Sequence, residues 1–237
     1  MNKKNLNENN RSMEIEKEWD IYWSQAGDKR TERKIYDIFA SFYRNYLIGP
    51  TLRKIIKKNF LNGQKLLHAG CGGGETDKYI NDYVEITALD ISSNALKLYN
   101  NTNKNSKTIL GDIFNLNNIN ERYDGIYNLG VMEHFSEKEI EIILNQFQFK
   151  LKDDGKIILF WPPVYALSVI ALYCIHFFLN KILRNNIKLH AAEPTKIKSK
   201  KQIRRLIKNT NLKITNTSFG YSDAFTYYVV VLEKEKK

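Results

Sequence analysis

The 237-residue chain has 43% hydrophobic residues and a formal net charge of +11, which suits one globular domain with a real core. This composition excludes a collagenous or globally disordered protein. The first residues, MNKKNLNENNRSMEIEKE, lack the apolar segment of a secretory leader, and Cys71 and Cys174 are too far apart to form a CxxC pair. We therefore expect a reduced, cytoplasmic location, with no disulfide framework and no metal site.

The N-terminal part of the chain predicts helices. Residues 1–12 are rich in Asn, Lys and Glu and are predicted to be a flexible tail. Residues 13–24 carry apolar side chains at helical spacing, and 35–60 form a second helical region that Pro50 interrupts. Residues 13–62 are thus predicted as N-terminal helices.

From residue 63 onward, short apolar strands alternate with helices. The predicted strands are 65–69, 85–89, 107–110, 125–129 and 155–161. The predicted helices are 75–82, 92–101 and 137–151. This alternation predicts a doubly wound, mostly parallel sheet with ligands at the carboxyl ends of its strands. Two last strands, 212–219 and 226–232, predict an antiparallel pair. The expected fold is therefore α/β and Rossmann-like, with seven strands and a helical insertion after the fifth.

A glycine-rich loop follows the first predicted strand, in the stretch LLHAGCGGGET. Glycines there allow a sharp turn or the close approach of a ligand to the backbone. The spacing of Gly70, Gly72 and Gly74 is G-x-G-x-G, and the sixth position is Glu75, which argues against the dinucleotide fingerprint. A purely structural turn is the alternative.

Acidic residues follow the next two strands. Asp90 ends the stretch ITALD, where a carboxylate can accept both ribose hydroxyls of a nucleoside lying across the glycine loop. The alternative is that it caps the helix that begins near Ser92. Asp112, in ILGDIF, follows the third strand, where it can face an adenine amino group.

Five pieces of the chain, in order, resemble the motifs of the class I S-adenosylmethionine-dependent methyltransferases, in particular the small-molecule branch that includes quinone-biosynthesis enzymes. The resemblance covers roughly residues 65–232. The matching pieces are HAGCGGG, LD, GDI, YDGIYNLGVMEHF and LKDDGKIILFWPP. The resemblance implies a methyltransferase that uses S-adenosylmethionine (SAM).

The resemblance also implies which residues hold the cofactor and the acceptor. In the N-terminal helices, Trp19, Tyr22 and Trp23 are predicted to close over the cofactor as a lid, and an ordinary packing stripe is the alternative. The implied cofactor-binding residues are Gly70, Cys71, Gly72, Gly74, Asp90, Ile91, Asp112, Ile113 and Gly130. His134, in MEHF, is the candidate general base for an acceptor that must lose a proton, and a helix-capping or core role is the alternative. The candidate acceptor-binding residues are Trp161, Tyr165, Tyr173 and His190.

The segment 163–208 interrupts the family pattern and is the part expected to select the acceptor. It begins with VYALSVIALYCIHFFLN, which is shorter than the roughly twenty residues that span a bilayer. It is either a buried cap over an apolar pocket or a hairpin dipping into a membrane surface.

Between Lys181 and Lys208, ten cations face one acid, Glu193. Such a basic region favours an anionic partner such as lipid headgroups, although a solvated helix face has the same pattern. The expected acceptor is small and apolar or lipid-like, taken from the inner face of a membrane. The alternatives are a polar sugar or phosphate metabolite, or RNA. Nucleic acid is disfavoured because the cationic stretch 196–208 lacks aromatic residues for base stacking.

Overall fold

The computed structural model describes residues 3–24, 41–166 and 193–235. The chain divides into two compact units, Met1–Tyr123 and Asp124–Lys237. Each unit is described by itself.

The first unit begins with helices. Helix α1 spans Lys3–Ser24, so it starts within the segment predicted as a flexible tail, where Lys and Glu are good helix formers. A π-helical turn, Arg44–Ile48, leads into α2, Gly49–Asn59. Pro50 lies in the first turn of α2, directly after the π-helical turn. The chain stays helical at this position, where a break was predicted.

Three parallel strands form the sheet of the first unit. They are β1 (Lys65–Ala69), β2 (Glu85–Asp90) and β3 (Lys107–Leu110), in the order β3-β2-β1. All but the first residues of β1 and β2 are buried, as expected for strands covered on both faces. Helix α3 (Ser93–Thr102) connects β2 to β3 and is capped by Ser92, whose Oγ accepts the Ala95 N–H at 3.1 Å.

The α-helix predicted at 75–82 is absent from the structure. Only a 3₁₀ turn, Asp77–Tyr79, forms there. The Asp77 side chain is fully buried and hydrogen-bonded to neighbouring elements, so this turn is shaped by its contacts with the rest of the unit. The prediction of an α-helix from the local residue pattern was therefore wrong at this position.

The second unit contains the remaining strands, in the order β4-β5-β7-β6. They are β4 (Tyr123–Leu129), β5 (Leu151–Trp161), β6 (Leu212–Ser218) and β7 (Tyr228–Lys234). Helix α4 (Glu137–Lys150) separates β4 from β5 and starts with a capping box formed by Ser136 and Glu139. Helix α5 (Lys200–Leu206) precedes β6.

Strand β7 pairs antiparallel with both β5 and β6, which confirms the predicted C-terminal pair. The β6 ladder has a bulge between Ile214 and Asn216. With its seven strands the chain has the predicted α/β, Rossmann-like class of fold. Within the described ranges, no helix is both long and apolar enough to cross a membrane.

Candidate active site

The glycine loop after β1 has the backbone conformation that its sequence predicts. Gly70, Gly72 and Gly74 have φ angles of 77°, 52° and 65°, in the left-handed region that side chains disfavour. The N–H groups of Gly70 and Cys71 both donate to the Leu89 carbonyl, at 2.8 and 3.0 Å. The loop is therefore fixed at the carboxyl end of β2, as a ligand-binding loop of this fold requires.

Two of these glycines also have no room for a side chain. A Cβ on Gly74 would lie 2.1 Å from the Tyr99 ring and 2.7 Å from the Asn103 amide nitrogen. A Cβ on Gly72 would lie 2.5 Å from the Trp23 ring. Close packing on both sides thus requires glycine at these positions.

Asp90 lies beside the loop and is 7% exposed. One carboxylate oxygen accepts the Gly72 N–H at 2.8 Å and the other accepts the Ser92 N–H at 2.9 Å. Burial raises the pKa of Asp90 above its ordinary value, and these two backbone bonds oppose the rise. A carboxylate has about four acceptor positions, so these two bonds do not use its whole capacity to accept ribose hydroxyls.

Cys71 packs into the core under the loop. It lies in a buried cluster with Ala88, Leu96 and Tyr99. Burial, followed by the nearby acids, raises the pKa of its thiol well above the ordinary value. The thiol is therefore a packing group, and contact of Cys71 with the cofactor stays a prediction.

The residues predicted around the adenine follow the neighbouring strands. Asp112, just after β3, is half-buried, and its Oδ1 accepts the Phe114 N–H at 2.9 Å. Ile113 is buried, and Ile91, after β2, is partly exposed. The ends of three parallel strands thus bring the predicted cofactor residues of the first unit together.

A buried polar network under the loop was not predicted. His68 Nδ1 lies 2.7 Å from Asp77 Oδ2, and the Tyr99 hydroxyl donates to the same oxygen at 2.7 Å. The Asp77 N–H donates to the Gly74 carbonyl at 3.1 Å. The network joins β1, the 3₁₀ turn and α3 beneath the glycines. A histidine within an apolar strand signals a buried partner, but sequence alone does not identify Asp77.

Helix α1 covers the outer side of the loop. The Asp20 carboxylate accepts hydrogen bonds from the Ser92 hydroxyl at 2.7 Å and from the Asn94 N–H at 3.1 Å, at the start of α3. These bonds lower the pKa of Asp20. Trp23, one turn further along α1, lies against Gly72. This arrangement is compatible with the predicted lid.

Changing Asp20 to Asn should loosen α1, because the hydrogen bonds at the start of α3 lose their charged acceptor. We expect amide exchange in the second half of α1 to become about fivefold faster, equivalent to about 1 kcal/mol. Hydrogen exchange followed by mass spectrometry measures this. Glu18→Gln, an exposed acid on the same helix, is the control and should leave exchange unchanged. Equal exchange in both variants would show that Asp20 does not hold the helix.

In the second unit, Gly130 turns the chain at the end of β4. Its φ is 66°, and its N–H donates to the Phe160 carbonyl at 3.0 Å. A Cβ there would lie 3.2 Å from Glu133 Oε1 and 3.3 Å from the Tyr227 hydroxyl. Glycine therefore lets polar groups approach the backbone at this turn.

The candidate base His134 is half-buried in the 3₁₀ turn Met132–His134 that follows. Its neighbour Glu133 is 4% exposed, and burial, with a smaller contribution from Glu193, raises its pKa to about 8. The Glu133 carbonyl accepts the Thr195 N–H at 3.1 Å, and Lys196 pairs with Glu193 at 2.7 Å. Neither Glu133 nor Glu193 was predicted as a site residue.

The predicted acceptor residues differ in their setting. Trp161 is 1% exposed and donates its indole N–H to the Thr195 carbonyl at 2.8 Å, so it anchors the segment before α5. Tyr165 is 46% exposed and open to a ligand. Tyr173 and His190 lie outside the described residues. Contact of these four residues with an acceptor stays a prediction.

Comparison with known proteins agrees with this geometry. Residues 67–159 match the family model described as a methyltransferase domain. An uncharacterized protein of Methanocaldococcus jannaschii, MJ1252, is 26% identical over 200 residues, which are 84% of this chain and 73% of the relative.

Among solved structures, magnesium protoporphyrin IX methyltransferase from Synechocystis PCC 6803, with bound SAH, is similar with a TM-score of 0.64. It is 14% identical, and the match covers 94% of this chain and 99% of that one. A SAM-dependent methyltransferase from Clostridium acetobutylicum has a TM-score of 0.60 at 17% identity, covering 85% and 100%. At these identities the likeness is one of fold.

The family match lies on the same stretch as the glycine loop, Asp90, Asp112 and the end of β4. Residues 67–159 thus match a methyltransferase domain, and the chain has the fold of the SAM-dependent methyltransferases.

Proposed function

We propose that this chain is a SAM-dependent methyltransferase that methylates a small apolar or lipid-like acceptor, which it collects at the inner, cytoplasmic face of an anionic membrane. The observation that carries the proposal is a partly exposed cluster of aromatic rings around Tyr165, just after β5. Because ligands of this fold bind at the carboxyl ends of the strands, this cluster lies where an acceptor is expected.

The roles of the cofactor residues follow from the loop geometry. SAM supplies an activated methyl group on its sulfonium. We assign Gly70, Cys71, Gly72 and Gly74 to the backbone beneath its methionine part. The contact of Gly130 with the cofactor stays a prediction. Asp90 and Ile91 hold the ribose, and Asp112 and Ile113 frame the adenine. The positive φ angles of the loop and the remaining acceptor positions on Asp90 fit such a ligand.

His134 is the proposed base. It lies at the exit of β4, and its imidazole can take a proton from an acceptor that must lose one. Methyl transfer itself needs alignment and exclusion of water more than proton transfer, so the main task of the surrounding side chains is positioning.

The aromatic cluster offers apolar contact of the kind that such an acceptor needs. The centroid of the Tyr165 ring lies 5.3 Å from that of Phe219, and Phe219 lies 5.3 Å from Phe225 and 6.3 Å from Tyr228. Tyr221 adds a further ring, 4.7 Å from Phe225, and is 88% exposed. Aromatic residues with one apolar and one polar end are typical of membrane interfaces.

A cation, Lys198, lies at the same end of β5 as this cluster, and further cations follow it on α5. The N–H of Val164, next to Tyr165, donates to the Ile197 carbonyl at 3.0 Å, which brings the exposed Lys198 to the same end of β5. Helix α5 continues with Lys200, Lys201 and Arg204. Each basic residue near an anionic surface contributes about 1 kcal/mol, so this group can hold the protein weakly at such a membrane.

Vesicle binding tests the surface part of the proposal. We expect the protein to sediment with vesicles containing anionic lipid at low salt and to be released at high salt. The double variant Tyr165→Ser, Tyr221→Ser should bind less, because it removes exposed aromatic surface. Tyr46→Ser, which changes a 67% exposed ring in the first unit, is the matched control.

Acceptor screening tests the chemical part. With SAM carrying a labelled methyl group, the label should enter the organic phase of a lipid extract rather than the polar extract or RNA. Absence of binding to anionic vesicles at low salt, together with label only in polar metabolites or RNA, would refute the proposed acceptor class.

A further inference from the structure

Three side chains that could ligate an ion meet at the exit of β4. The carboxylates of Glu133 and Glu193 and the imidazole of His134 place one ligand atom each within 4.8 Å of the others. The hydrogen bond from the Thr195 N–H to the Glu133 carbonyl brings the segment of Glu193 against this turn. Two elements far apart in sequence therefore build one cluster.

The burial and hydrogen bonding of the Glu133 carboxyl group indicate that this cluster binds a ligand. Its side chain is 4% exposed, and its Oε2 is buried without a hydrogen-bond partner among the described residues. A buried carboxyl oxygen with no partner is costly to the fold, so such a group calls for a partner that binding supplies. Gly130 leaves the other oxygen, Oε1, free of steric hindrance from a Cβ.

We propose that Glu133, His134 and Glu193 bind one divalent cation of the Mn²⁺ or Mg²⁺ type. In the ion-bound protein His134 is a ligand, and the role of base assigned to it above applies to the ion-free protein. Carboxylate oxygens suit these ions, and imidazole is a common nitrogen ligand of transition-metal ions such as Mn²⁺. Ligand atoms at about 2.0–2.1 Å from one small ion lie at most about 4.2 Å apart. Small side-chain movements would close the observed separations.

The neighbouring lysine is compatible with this site. Lys196 bonds Oε2 of Glu193 at 2.7 Å, which leaves Oε1 of that carboxylate for an ion. Three protein ligands leave an octahedral ion with open positions, and an oxygen-bearing acceptor can occupy one of them. If the proposed function holds, the bound ion would favour acceptors that carry an oxygen near the reacting atom. Binding of the cation itself does not depend on the acceptor.

The experiment uses the full-length protein, freed of metal by a chelator and then titrated with Mn²⁺. Electron paramagnetic resonance should show the loss of one equivalent of free Mn²⁺ signal per chain, and Mg²⁺ should compete. Glu133→Gln and Glu193→Gln should each weaken binding at least tenfold. Glu137→Gln makes the same change at an exposed acid that pairs with Arg205 and is the matched control.

Thermal unfolding of each variant shows whether it is folded, and the wild-type titration needs no variant at all. Absence of stoichiometric Mn²⁺ binding by the wild type would overturn the proposal. Charge compensation of these acids within the described part of the chain would then come from the ion pair of Lys196 with Glu193. Binding that is equal in folded Glu133→Gln and Glu137→Gln would also overturn it.

Discussion

Gly74→Ala is expected to destabilise the protein by about 2–5 kcal/mol and to abolish cofactor binding. The left-handed conformation contributes about 1–2 kcal/mol of this, since a Cβ there approaches the following carbonyl. Overpacking against Tyr99 contributes about 1–3 kcal/mol, because the new Cβ would lie 2.1 Å from its ring. Tyr99 also bonds Asp77 in the network under the loop, so its displacement would disturb the loop further. Urea denaturation and calorimetric titration with SAM measure the two effects.

Gly63→Ala is the matched control for that variant. Gly63 has a φ of 77°, yet a Cβ there would meet nothing within 4 Å. Only the backbone contribution of about 1–2 kcal/mol should then appear, with unchanged cofactor affinity. Equal loss of stability in both variants would show that packing of Tyr99 against Gly74 does not matter.

Asp90→Ala is expected to weaken SAM binding by about 1–3 kcal/mol, or about 5- to 150-fold. The ribose hydroxyls lose their acceptor, and the N–H groups of Gly72 and Ser92 lose theirs. Calorimetry at constant salt measures the change. Glu85→Ala, at the exposed start of the same strand, should leave the affinity unaltered. An unchanged affinity in a folded Asp90→Ala variant would remove Asp90 from the cofactor site.

The strands were predictable because their signal is local. The bounds of β1 and β3 match the prediction residue for residue, since each is a short apolar run ended by glycine or a turn. The glycine loop and Asp90 were predictable for a related reason, because residue type and spacing within a short stretch indicate which ligand groups they can bind.

Contacts between distant residues were not predictable in this way. His68 and Tyr99 lie 9 and 22 residues from Asp77, and their shared hydrogen bonds replace the expected helix at 75–82 with a 3₁₀ turn. Glu193 meets Glu133 only because the segment before α5 returns to the exit of β4. Pattern within a window cannot reveal such pairs, because folding of the intervening chain decides them.

The bulge in β6 affects how this protein behaves when it is concentrated. β6 pairs with β7 and, among the described residues, has no second neighbour, so one row of its backbone N–H and C=O groups is open. A flat open edge is a template on which a strand from another molecule can add, the first step of aggregation. The irregularity between Ile214 and Asn216 twists this edge, and Lys213 places a charge on it. Both features make the edge a poor template, which protects the folded protein during overexpression and storage.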